Sequence, residues 1–356
     1  MKALIYEGPG SPTWKEVPDP AILDPEDAII RVDAVTICGT DLHILKGDVP
    51  SVEHGRVLGH EAVGTIQSVG SAVTDRAPGD RVLISCISSC GRCRYCREQR
   101  YGQCLGGGGW ILGNIIDGTQ AELVRVPFAS RSTYVLPDDV SDEEAVMLAD
   151  ILPTSYEVGV LNGCVEPGNT IVIVGAGPIG LAAIATARLM SPLNIVVVDP
   201  AAPRRDAAKM AGATVTMSPD EDVRGVVFGM TDNLGADVAI EAVGIPSSFE
   251  LCTQLIRPGG HVANVGVHGS PVTLHLEELW IRNVTITTGL VDTYSTSLLL
   301  KLLQSGQLAT KDLITHRFDL DEMETAYDVF SRPTETGALK VALFSRDSMR
   351  GSTREA

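Results

Sequence analysis

The run CGRCRYCREQRYGQC carries Cys90, Cys93, Cys96 and Cys104, the first three separated by two residues each and the last by seven. Four thiolates at such spacing can surround one tetrahedral zinc, and four protein ligands leave no position open for a substrate. The run therefore reads as a structural site that ties a loop together, with chance cysteines or two disulfides as the alternatives. A closed site of this kind stabilises structure, so any chemistry has to be sought elsewhere in the chain.

A chain of 356 residues can form two domains with separate cores. Its net charge of -17 argues against nucleic acid as a partner, because phosphate backbones attract basic surfaces. The opening MKALIYEGPG has no long apolar core or cleavage-like segment, so no secretory signal is expected. Eight cysteines without such a signal fit a reducing cytoplasm with thiols used for metal. Cys86, Cys164 and Cys252 have no partner pattern and read as ordinary small core residues. The uncharged stretch Pro167 to Ala187 is long enough to raise the question of a membrane span. Gly175, Gly177, Pro178 and Gly180 break it into a β-rich run and an Ala-rich run, which predicts strand, turn and helix and no membrane partner.

Up to about residue 150, short strand-like runs such as AIIRVDAVTI (28–37) alternate with turns such as APGD (77–80). Regular helical periodicity is scarce there, which predicts a mainly β domain. From about 153 the pattern changes to strand and helix in alternation. Strands are expected at 170–174, 194–199, 236–241, 261–267 and 284–289, with helices at 178–190 and on to about 211. That alternation predicts a doubly wound parallel sheet. An apolar helix follows residue 295, and LKVALF (339–344) reads as a strand that returns to the first domain. The expected divisions are thus 1–152, 153–294 and a return segment, 295–356.

Gly175-Ala-Gly177-Pro178-Ile179-Gly180 follows one expected strand and opens a helix. The first glycine permits the tight turn, the second lets phosphate approach the backbone, and the third lets helix and strand pack closely. The helix N-terminus offers free N–H groups to a pyrophosphate. Asp199 ends the next strand, where an acidic side chain can accept from both ribose hydroxyls. Its charge would repel the extra phosphate of NADP and favours NAD, although Arg204 and Arg205 lie nearby. Elsewhere, Cys38 in CGTDLHI, His60 with Glu61 in LGHEAVG, and Asp150 in LADILPT offer sulfur, nitrogen and oxygen donors. Singly each is ordinary. Three protein ligands and one open position would make a catalytic zinc site.

GHEAVG (59–64), the four-cysteine run, GAGPIG with its later aspartate, and DVAIEAVG (237–244) together resemble the zinc-dependent medium-chain alcohol dehydrogenases over essentially the whole chain. The resemblance implies an α/β protein with a mainly β GroES-like catalytic domain and a Rossmann-type domain. It implies NAD as cofactor and two zinc ions per chain, one catalytic on Cys38, His60 and Asp150, one structural on the four cysteines. The family's dimeric animal enzymes have a second cysteine where this chain has Asp150, an aspartate that resembles the bacterial secondary alcohol dehydrogenases. Many of those lack the structural zinc, so the chain mixes features.

Further roles follow from the same resemblance. Glu61 is similar to an acidic residue behind the metal that is sometimes an alternative ligand, and Asp41 to one that orients His60 through its other ring nitrogen. Trp110 falls where some relatives place a wall of the substrate pocket. Thr40 would hydrogen-bond the substrate oxygen and pass a proton by way of the nicotinamide ribose to His43. Gly39 replaces a basic residue that some relatives set against the pyrophosphate. Thr154 matches a threonine beside the nicotinamide, Val265 and Val267 a backbone segment that receives the carboxamide, and Lys340 a position near the pyrophosphate. The implied assembly is a homotetramer, with a dimer as the alternative. The implied activity is hydride transfer between NAD(H) and small secondary alcohols or ketones, extending to primary alcohols and aldehydes. A polyol or sugar dehydrogenase of the same superfamily is the rival, and a non-catalytic, crystallin-like nucleotide-binding protein a more distant one.

Overall fold

The structure is a computed structural model in which residues 1–346 are described. They form two compact units. Met1–Asp150, Asp292–Gln304 and the chain from Thr310 on make the first, and Ile151–Val291 with Ser305–Ala309 the second. The boundaries expected after residues 152 and 294 thus fall after Asp150 and Val291.

In the first unit, β1 (Lys2–Tyr6) and β2 (Pro12–Glu16) form an antiparallel hairpin. β3 (Ala28–Thr36) is buried almost throughout, as a central strand rich in β-branched residues should be. It pairs antiparallel with β4 (Ala62–Val69) and with β6 (Leu123–Val126). β5 (Arg81–Ile84) joins β4 and β7 (Thr133–Val135). The APGD turn that precedes β5 closes through the Ala77 N–H on Asp80 Oδ2, 2.8 Å, with Gly79 at φ +97°.

One helix lies where none was expected. α1 (Gly39–Lys46) starts at Cys38, whose backbone N–H donates to Asp41 Oδ2 at 2.9 Å. It stops at Gly47, which takes the left-handed conformation at φ 85°. Thr40 therefore stands in the first turn of a helix and not on a strand.

The second unit holds a six-stranded parallel sheet. β8 (Thr170–Val174), β9 (Asn194–Val198) and β10 (Val215–Met217) alternate with α2 (Pro178–Arg188) and α3 (Ala202–Ala211). α4 (Val223–Gly229), β11 (Ala236–Glu241), α5 (Pro246–Leu255), β12 (Ile256–Asn264) and β13 (Thr285–Thr288) follow. The strand order is β10-β9-β8-β11-β12-β13. The chain starts in the middle, winds outward to β10, and crosses back to β11, so the switch point lies between β8 and β11. Ligands of such sheets bind outside the carboxyl ends of the strands at that point. β12 begins at Ile256, earlier than the expected residue 261, because Ile256 pairs with Ala236 and RPGG bulges out before pairing resumes at His261 opposite Val238.

α6 (Thr296–Gln304) follows, and the chain then completes the first sheet with β14 (Ile314–Asp319), α7 (Met323–Ser331) and β15 (Lys340–Phe344). β15 lies parallel to β14 and antiparallel to β3, which makes this sheet seven-stranded. Among the described residues no helix is long and apolar enough to cross a membrane.

Candidate functional site

Cys38 caps α1, His60 and Glu61 immediately precede β4, and Asp150 closes the main segment of the first unit. All four are buried, and one ligand atom from each lies within 4.8 Å of the others. Asp150 Oδ2 is 3.6 Å from Cys38 Sγ and 3.5 Å from His60 Nε2. Ligand atoms around a tetrahedral zinc stand roughly 3.3–3.8 Å apart, given the usual bond lengths. The donor set and its spacing fit that ion. Burial, and then Glu61, push the Cys38 thiol's pKa up. Burial works against a charged His60, but hydrogen bonds to Asp150 and Cys38 prevail and raise its pKa well above the ordinary value. These groups hold their protons until a cation displaces them, the usual coupling of metal and proton binding.

Asp41 faces two of the candidate ligands. Its Oδ1 stands 3.8 Å from His60 Nδ1, longer than a hydrogen bond, and neither atom has a hydrogen-bond partner. Oδ2 accepts from the Cys38 N–H and from Gln120 Nε2 at 3.0 Å. Three residues into α1, this carboxylate turns towards the free N–H at the helix start, so it fixes the Cys38 backbone while its other oxygen faces the His60 ring.

Lys340 requires correction. It was expected near the cofactor's pyrophosphate, but its side chain points into the first unit and is 2% exposed, with Nζ 2.6 Å from Glu61 Oε2. Glu61 is its ion-pair partner, and Cys38 and Asp150 lie near enough to act on its charge as well. Glu61 Oε2 also accepts from Thr36 Oγ1, while Oε1 is buried without a partner. A carboxylate with one oxygen anchored and one free beside the metal ligands can supply a further ligand.

Trp110 stands edge-on to the His60 ring, centroids 6.0 Å apart. Thr40 Oγ1 lies 3.6 Å from Cys38 Sγ. His43, one turn along α1 and partly exposed, has Nδ1 2.9 Å from Asp48 Oδ2. Cys86 is a contact that the sequence did not reveal: its thiol lies 3.6 Å from Asp150 Oδ1, on the side away from His60. A solitary cysteine carries no spacing signal, so only the fold exposes it.

The other four cysteines converge as well, with one sulfur from each within 4.8 Å of the others. All eight cysteines are free thiols, which removes the disulfide alternative. Cys93 Sγ accepts from the backbone N–H groups of Cys96 and Leu105 at 3.5 and 3.4 Å. Those two donors lower its pKa to about 6 and favour the ligating thiolate. The glycine run is explained here: a Cβ at Gly106 would come within 2.6 Å of Cys90 Sγ, and one at Gly108 within 3.1 Å of Cys104 Sγ.

In the second unit, Gly175 turns at φ +101°, and a Cβ at Gly180 would collide with the Gly175 carbonyl oxygen. Gly177 caps α2 with open space where a Cβ would stand, a cradle that a phosphate can enter. Pro178 and Ile179 form the first turn of α2, and the Ile179 carbonyl accepts from Ser155 Oγ at 2.9 Å. Asp199 follows β9, only 3% exposed. Its two oxygens accept from the Ala176 and Ala201 N–H groups, each at 2.8 Å, so it pins the glycine turn to the next loop. Arg204 Nη1 is 4.0 Å from that carboxylate, whereas Arg205 is committed to the Asp199 and Pro200 carbonyls. Thr154 ends the short helix Ile151–Thr154, and Val265 and Val267 leave β12, with Val267 half exposed.

The alcohol dehydrogenase GroES-like domain matches residues 24–138, and the zinc-binding dehydrogenase domain residues 178–305. An alcohol dehydrogenase of Cupriavidus necator is 35% identical, over 96% of this chain and 98% of its own. An NADP-dependent isopropanol dehydrogenase of Thermoanaerobacter brockii is 33% identical, over 92% of this chain and 95% of its own. Among solved structures, the apo form of zinc dependent alcohol dehydrogenase 2 from Streptococcus pneumonia is 47% identical at a TM-score of 0.94, covering 97% of this chain and 99% of its own.

Proposed function

The chain belongs to the zinc-dependent medium-chain alcohol dehydrogenases, and from that premise we propose that it interconverts small secondary alcohols and ketones with NAD(H). Primary alcohols and aldehydes are secondary substrates in this reading. The observation that carries it is the buried meeting of Cys38 Sγ, His60 Nε2 and Asp150 Oδ2, each pair with Asp150 about one ligand–ligand separation apart. These three residues would hold the catalytic zinc, with Glu61 Oε1 in reserve. When bound, zinc supplies a Lewis acid for the substrate oxygen.

The chain's own groups do the rest. Thr40, whose hydroxyl lies beside Cys38, is assigned to hydrogen-bond the substrate hydroxyl and take its proton onward. His43, held by Asp48 against its Nδ1, receives that proton. Trp110 presents an apolar wall next to His60, which suits an alkyl group better than a polyol chain. The Thermoanaerobacter brockii relative, named for isopropanol, supports the same substrate class. Its NADP differs from the cofactor proposed here, for which the buried Asp199 side chain beside the glycine turn is the support. Thr154, Val265 and Val267 are assigned to the nicotinamide end, Arg204 to the adenosine end. The four-cysteine run holds a second, structural zinc. The free thiols suit a reducing cytoplasm, and the working assembly is a homotetramer.

NADH formation from NAD and isopropanol tests this reading, with Asp150→Ala as control and zinc content measured in both. Wild-type turnover, lost by at least two orders of magnitude in the variant, is expected. An inactive wild type with full zinc that oxidises sorbitol instead would transfer the chain to the polyol dehydrogenases.

A further inference from the structure

Glu241 ends β11 beside the switch point and is fully buried, yet none of the roles above uses it. A buried carboxylate is costly unless its oxygens are matched by donors. Here the match is one-sided. Oε1 accepts from the Val243 and Gly244 N–H groups, each at 2.9 Å, and from Ser248 Oγ at 2.5 Å. Oε2 has no hydrogen-bond partner and lies 3.4 Å from His268 Nε2, a ring nitrogen also 2.8 Å from Asn264 Oδ1. The same residue's carbonyl accepts from the Val265 and Gly266 N–H groups at 2.9 and 3.1 Å.

One residue therefore holds two loops, 242–245 leading from β11 into α5 and 265–268 leaving β12. The loops are interleaved without slack. A Cβ at Gly266 would collide with Glu241 Oε2, and one at Gly244, which sits at φ +85°, with the Val267 carbonyl. The first of the two loops also abuts the phosphate turn, since a Cβ at Gly175 would come within 2.6 Å of Val243 Cγ2. Three successive strand ends, β8, β11 and β12, are thereby locked at the mouth of the crevice where this fold binds its ligand.

We propose that Glu241 is a positioning residue for the dinucleotide, holding the loops after β11 and β12 against the glycine turn after β8. The inference rests on the reading of that crevice as the cofactor site. Loss of Oε1 would leave the buried Gly244 N–H and the part-buried Val243 N–H unpaired and free both loops to open, so the free crevice would spend less time in its binding form.

The test is NADH binding to zinc-loaded protein, read by fluorescence titration, beside KM for NAD, KM for alcohol and kcat. Glu241→Ala should weaken NADH binding on the order of tenfold and raise KM for NAD alike, leaving KM for alcohol and zinc content unchanged. Glu241→Gln keeps an acceptor at Oε1 and should restore most of the affinity, which loss of fold could not mimic. If Glu241→Ala does not fold, Ser248→Ala removes one donor and should weaken binding about threefold. Unchanged NADH affinity in a folded Glu241→Ala, or in Ser248→Ala where that variant does not fold, overturns the proposal. Titrating wild type with NADPH as well separates the two readings. If wild type takes NADPH alone, the choice of NAD fails and the variants are read with NADPH, whereas binding of neither overturns both.

Discussion

Lys340 and Glu61 carry opposite charges at 2% and 1% side-chain exposure, 2.6 Å apart. In so dry a place the value of the pair lies in its completeness: removing one partner leaves an uncompensated buried charge, at about 3–5 kcal/mol. Lys340→Met should lower the unfolding free energy of zinc-stripped protein, read by chemical denaturation, by that amount, and Lys340→Met with Glu61→Gln by distinctly less. Equal losses in the single and double variants would show that the lysine contributes packing alone. The sequence could name Glu61 but not its partner. LKVALF reads as a strand whichever way its lysine points, and only the burial of β15 on both faces decides the matter. The same limit applies to Cys86, Gln120 and Asp41. The contacts of Cys86 with Asp150 and of Gln120 with Asp41 arise from segments far apart in the chain.

At the scale of elements, legibility followed local signal strength. β8, β11 and the glycine turn stand where their β-branched runs and punctuation predicted, because β-branching, Gly175 and Pro178 act within a few residues. α1 escaped notice because eight residues give little periodicity, and its start is fixed by Asp41 reaching back to Cys38. The four-cysteine segment was legible as a cluster, yet it contains only a four-residue helix and a short 3-10 turn. With so little regular structure, its shape depends on what the sulfurs bind. Cys93→Ser should therefore lose one zinc per chain by elemental analysis and become open to protease between Arg94 and Gln103, while the Cys38 site keeps its metal. Retention of two zinc ions with unaltered proteolysis would remove the structural role.

For the whole molecule, charge and apolar surface pull in opposite directions. A net charge of -17 disfavours indiscriminate contact between copies, so association has to come from a local patch. β13 is an edge strand of the parallel sheet, with unpaired backbone groups along its free side. The segment leading into it exposes Leu276, Trp280 at 72% and Ile281 at 68%. Bare edges with large apolar side chains beside them are rare on monomers. A two-fold pairing of this edge with its copy would satisfy the backbone and cover the side chains together. Light scattering on purified protein should give a multiple of 37.7 kDa, four copies in the full assembly. Trp280→Glu with Ile281→Glu should reduce that mass at least twofold, since four buried carboxylates would face one another across the axis. A monomeric wild type would overturn the assembly outright. A variant that keeps the wild-type mass would move the contact away from this edge and leave β13 to be protected by its shortness alone.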